Sequence, residues 1–138
     1  MRVPKYLLIA SLSCAIYFMF FPSAMAQEKK MLVRIAEITL FPEHVEAYKL
    51  LLQEEAEASI RLEEGVLVIF PMFAIADSSK VKILEIYASQ EAYESHLKTA
   101  HFLKYKTLTQ THVKDLKLLD MYALDPLLMP AMFKRITE

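Results

Sequence analysis

Residues 66–76 read VLVIFPMFAIA, an apolar run without polar alternation, and a short segment of this kind is a strand that has to be covered on both faces. The run over residues 80–88 (KVKILEIYA) repeats the demand. Val81, Ile83 and Tyr87 point one way, and Leu84 and Ile86 the other. A chain of 138 residues has room for one modest core. One layer of helices covers one face only, so the second face needs another sheet, most cheaply that of an identical subunit. The predicted assembly is a homodimer.

The remaining elements follow from punctuation and periodicity. Residues 31–40 mix β-branched and charged side chains as a strand does, and Phe41-Pro42 ends it, because proline is at home in a first helical turn. A helix then runs to about Leu62 with Val45, Tyr48, Leu52, Ala56 and Ser59 or Ile60 on one stripe. Gly65, the single glycine of the chain, stands where a left-handed helix cap is wanted. Pro71 marks an edge strand or bulge, and Asp77-Ser78-Ser79 a turn. Ser89 is placed to cap a short helix over 91–98, and Thr99 one over 100–114. Residues 115–123 form the last strand. The order βαββαβ, with its second helical region split, predicts a ferredoxin-like α+β fold: an antiparallel sheet with helices on one face.

At the amino end, Arg2 and Lys5 precede an uncharged run from Tyr6 to Phe21 and a small-residue step, Ala24-Met25-Ala26. This is the form of a secretory signal peptide. The run, about 16 residues, is short of the roughly 20 needed to span a bilayer, so no stable membrane anchor is expected. Cleavage after Ala26 leaves one domain over 27–138, with a core at 31–124 and a tail at 125–138, exported to a periplasm or secreted. It removes Cys14, the only cysteine, and with it disulfide and thiolate chemistry. The net charge of −1 gives no electrostatic footprint for nucleic acid. A single glycine excludes the glycine-rich nucleotide loops.

The polar residues suited to chemistry concentrate between Lys80 and Tyr105. His96 lies near the end of the short helix and His101 opens the next, where the positive end of a helix favours neutral imidazole. Taken singly, each histidine is as well read as surface or capping polarity. Glu85 shares a strand face with Tyr87, and a carboxylate in a largely buried sheet needs a partner. That partner is Arg34 or Arg61 in a structural reading, and a histidine or a substrate hydroxyl in a functional one. Tyr87, Tyr93, Phe102 and Tyr105 are core aromatics or the walls of an aromatic pocket. No two histidines stand one helical turn apart, and His96 and His101 are an i,i+5 pair across a break, so a metal site is only weakly signalled and none is assigned.

Glu85, Tyr87 two positions on, the helix ending in His96, and the step Thr99-Ala100-His101-Phe102 together resemble the antibiotic biosynthesis monooxygenase (ABM) family, in particular its quinol monooxygenases. The resemblance implies a dimeric α/β barrel. It also implies a cofactor-independent monooxygenase that uses O2 on a hydroquinone or similar small aromatic. Within it, His101 is the base, His96 a second donor and Glu85 an orienting carboxylate, while Tyr87, Phe102, Tyr105, Tyr93 and Arg61 bind substrate. The alternatives are a non-catalytic dimer that binds a small molecule or serves in stress, and an isomerase of the same superfamily. The chain has no Trp and no Asn, which sets it apart from haem-degrading members that use both.

Overall fold

The structure, a computed structural model, describes residues 30–128. The expected leader and most of the tail lie outside the described residues. Strand β1 (Leu32–Leu40) leads through a 3-10 turn at Pro42–His44 into helix α1 (Val45–Leu62). Strands β2 (Val66–Phe73) and β3 (Lys80–Tyr87) form a hairpin. Helices α2 (Gln90–His96) and α3 (Ala100–Thr109) follow, then strand β4 (Val113–Met121). The sheet order is β2-β3-β1-β4 and every pairing is antiparallel. This is the ferredoxin-like α+β arrangement. Among the described residues no helix is long and apolar enough to cross a membrane.

The two faces of the sheet differ as strand alternation requires. Toward the helices, Ala36, Ile38, Leu40, Val81 and Ile83 pack with Val45, Tyr48 and Leu52 of α1. Each of the buried Val, Ile and Leu side chains contributes about 1.5–3 kcal/mol by leaving water. The same face carries a polar row at one end, Ile69-Glu85-Arg34-Asp120, one residue from each strand. The opposite face has two apolar rows that each cross all four strands: Phe70-Leu84-Ile35-Leu119 and Val68-Ile86-Val33-Met121. Val33 and Ile86 are buried at its centre, whereas Phe70, Leu119 and Met121 are exposed. The third row, Met72-Lys82-Glu37-Lys117, is largely charged.

Several local expectations are refined. Gly65 has no positive φ, so it is not a left-handed cap. It is small because α2 crosses close above it: an added Cβ would stand 2.6 Å from the Cβ of Ala92. Pro71 does lie on an edge strand, while the irregularity of β2 falls between Val66 and Val68. Helix α3 ends at Thr109, short of 114, because the end of β1 captures the following backbone. Leu40 pairs with Val113, and the Phe41 amide donates to the His112 carbonyl at 3.0 Å. Ser89 and Thr99 cap their helices as predicted, accepting from the amides of Ala92 and Phe102.

Candidate active site

The ends of three helical elements converge on one carboxylate. Glu63, immediately after α1, receives His96 Nδ1 at 3.0 Å and His101 Nε2 at 2.6 Å on the same oxygen, Oε1. An ionised carboxylate can only accept, so both ring nitrogens carry their protons toward it. Burial alone would raise the Glu63 carboxyl, but the hydrogen bonds of the two histidines outweigh that and hold it below the ordinary carboxylate range. The link between α2 and α3 sets both rings. Thr99 donates its hydroxyl to the His96 carbonyl at 2.8 Å while capping α3, which fixes where His101 begins.

Behind His96 lies a second acid. Its Nε2 is 3.6 Å from Glu55 Oε1, and that oxygen accepts from Ser59 Oγ at 2.7 Å. Burial pushes the Glu55 carboxyl up, and the Ser59 hydrogen bond only partly opposes it. Phe102 and Tyr87 pack on the His96 ring at centroid distances of 4.7 and 5.4 Å. His96 is 3% exposed, whereas the His101 side chain retains 17%. His101 is thus the histidine that a molecule from solvent reaches. The hollow beside it, lined by Leu51, Glu54, Glu55, Lys104 and Tyr105, has a volume of about 10 Å³, the limit for one water.

Glu85 stands apart from this cluster. Its carboxylate takes the Tyr87 hydroxyl at 3.2 Å and neighbours Arg34 across the sheet, and burial pushes it up to about 7. Arg34 spends its guanidinium on Asp120, at 2.6 Å, with the Tyr93 ring 4.4 Å away on its face. Tyr87 joins the two groups of residues, because its ring contacts His96 and its hydroxyl serves Glu85. Tyr105 shares a hydroxyl-hydroxyl hydrogen bond with Tyr48. The structure thus brings His96, His101, Phe102 and Tyr87 together and sets Glu85 on the sheet beside them, with Tyr93 of α2 over Arg34. Arg61 is exposed and borders a surface hollow with Glu57 and Ile69, outside the cluster.

Sequence reasoning missed Glu55 and Glu63. Glu55 carried a usable signal, since it falls on the buried stripe of α1 with Tyr48, Leu52 and Ser59. Glu63 carried none: beside Glu64 it reads as solvated charge. A separate hollow of about 320 Å³ lies at the far end of the sheet near Thr39, Ala74 and Asp115. It contains no histidine, is walled by the Glu37–Lys82 ion pair and lies apart from the histidine cluster.

The family profile of the antibiotic biosynthesis monooxygenases matches residues 31–108, which include every residue of the histidine cluster. A candidate antibiotic biosynthesis monooxygenase of Bacteroides thetaiotaomicron is 44% identical, with a TM-score of 0.70 over 70% of this chain and 92% of its own. The Pseudomonas aeruginosa protein PA3566 is 28% identical, with a TM-score of 0.65 over 71% of this chain and 98% of its own. Rv0793 of Mycobacterium tuberculosis, at 20% identity and a TM-score of 0.63 over 70% of this chain and 97% of its own, shares the fold. No curated protein matches. By profile, by identity to a solved relative and by sheet order, this chain belongs to the antibiotic biosynthesis monooxygenase family.

Proposed function

We propose that the protein is a monooxygenase that oxidises a hydroquinone or similar electron-rich phenol with O2 and without an organic cofactor. The observation that carries this reading is the 2.6 Å contact between His101 Nε2 and Glu63, at the accessible side of an aromatic cluster. With Nε2–H committed to Glu63, the lone pair of His101 lies on Nδ1 and takes a phenol proton, as general-base catalysis requires. The phenolate passes one electron to O2, and the radical pair joins as a carbon-bound peroxide, which takes the proton back from His101 to become the hydroperoxide. Loss of water from that carbon leaves a carbonyl. A hydroquinone and O2 thus become a hydroxyquinone and water, with all four electrons coming from the substrate.

Glu63 takes over the orienting role that the sequence reading gave to Glu85. Glu85 is left to hydrogen-bond a substrate hydroxyl. The aromatic enters where the helices leave β4 bare, since Leu116 and Leu118 are half-exposed on the helix side, in line with the row that contains Glu85 and Arg34. His101→Ala lowers oxygen uptake with a quinol by about 100-fold or more on this reading, and an unchanged rate removes His101 from the mechanism. A second reading, a binding protein without turnover, keeps the aromatic walls of Tyr87 and Phe102 around His96 and drops the base. An aromatic that co-purifies while oxygen uptake is nil decides for it.

The biological unit in this proposal is a homodimer. Its support is the pair of apolar rows on the face away from the helices, a patch of the kind that soluble monomers seldom leave open.

A further inference from the structure

We infer that Glu63, His96 and His101 form a binding site for a divalent first-row transition ion, held by one carboxylate oxygen, His96 Nδ1 and His101 Nε2. The three donor atoms lie within 4.8 Å of one another, and the two nitrogens are 3.0 and 2.6 Å from Glu63 Oε1. Ligand bonds of about 2.0–2.2 Å place neighbouring donors on one ion roughly 3.0–3.4 Å apart. Opening the cluster by less than about 1 Å therefore turns two hydrogen bonds into a coordination shell, with each imidazole proton moving to the other nitrogen of its ring. Two imidazoles and a carboxylate select zinc, iron(II), cobalt(II) or nickel(II) over magnesium and calcium, which prefer all-oxygen shells.

The surroundings are those of a metal ligand set. A coordinating histidine works best when its other nitrogen is held by a carboxylate. Glu55 stands 3.6 Å from His96 Nε2 and is itself fixed by Ser59. The rings of Phe102 and Tyr87 prevent His96 from turning, and Thr99 ties the backbone between the two histidines. Glu63 and His101 keep side-chain exposures of 12% and 17%, so the remaining coordination positions face outward, where water or an anionic ligand completes the shell.

An ion on Nε2 moves the His101 proton to Nδ1 and cancels the base used in the proposed reaction, so loading is inhibitory if that reading holds. Binding is measured without turnover, and the two ideas therefore fail separately. The experiment titrates the untagged protein, freed of metal by chelator, with cobalt(II) and with zinc(II) by calorimetry, and records the visible absorption of the cobalt form. One ion per chain is expected, with micromolar or tighter affinity and the absorption of a four- or five-coordinate nitrogen–oxygen site. Glu63→Gln and His101→Gln weaken it at least tenfold. The double variant His44→Gln/His112→Gln removes the stacked histidine pair at the other end of α3 and leaves the affinity unchanged. Absence of binding below millimolar concentration to the unaltered protein overturns the inference. So does binding that survives Glu63→Gln but is lost in the His44/His112 variant.

Discussion

Gly65 and Ala92 meet so closely that a methyl on the first would stand 2.6 Å from that of the second. The contact seats α2 on the start of β2, with the Ala88 amide donating to the Gly65 carbonyl at 2.8 Å, and so sets the height of His96 above the sheet. Gly65→Ala is expected to destabilise the protein by about 1–3 kcal/mol, the usual cost of overpacking. The double variant Gly65→Ala/Ala92→Gly recovers most of it. Urea unfolding of the parent protein and the two variants checks this, and equal loss in the single and double variants contradicts it.

Glu85 predicts a stability profile of unusual sign. Burial raises its carboxyl from an ordinary 4.5 to about 7 in the folded protein. The unfolded chain therefore ionises first as pH rises, and Glu85 costs stability progressively between about 4.5 and 7, with the full cost present above that. A shift of this size corresponds to about 3 kcal/mol at 1.36 kcal/mol per unit. Glu85→Gln, whose amide oxygen still accepts from Tyr87, should match the parent protein near pH 4 and exceed its stability at pH 8. Unfolding free energies at the two pH values decide, and a difference that does not change between them excludes a raised Glu85.

The architecture was legible because its signals are local or periodic. Val81, Ile83 and Tyr87 alternate with Leu84 and Ile86, Pro42 and Thr99 mark helix starts, and the element order follows. The site was half legible. His96 and His101 lie five residues apart in one stretch, so their proximity could be read, but their common partner Glu63 lies 33 and 38 residues away in sequence. Arg34 and Asp120, an ion pair across 86 residues, were equally hidden, which left Glu85 as the natural partner for Arg34. Pairings of this kind are set by strand order and helix angle, and a single sequence encodes neither as a pattern. Gly65 misled for the related reason that a glycine after a helix fits two causes, backbone conformation and close approach.

Tyr48 and Tyr105 share one hydrogen bond between their hydroxyls. Tyr48 is fully buried, and burial raises the pKa of both phenols, that of Tyr48 to about 12. Removing one hydroxyl leaves the other without its partner, at a cost of about 1–3 kcal/mol. Tyr105→Phe should therefore cost more than the double variant Tyr48→Phe/Tyr105→Phe costs relative to Tyr48→Phe. A double-mutant cycle in urea measures the difference, and additive values show that the two hydroxyls do not interact.

The face away from the helices gives the last prediction. Leu119 and Phe70 end the row that crosses the sheet through Ile35 and Leu84, and both are exposed. If two copies meet there, Leu119→Lys places a charge inside a sheet-on-sheet contact, where desolvation without a partner costs several kcal/mol. Dissociation into monomers at micromolar concentration is then expected by light scattering. Lys117→Leu, on the same face but in the charged row, serves as the contrast and should leave the dimer intact. The folded monomer keeps the helix-side core of Tyr48, Leu52 and Ile83, so its circular dichroism should match that of the parent. A parent protein that is already monomeric by light scattering removes the dimer, and with it the cover this face was predicted to need.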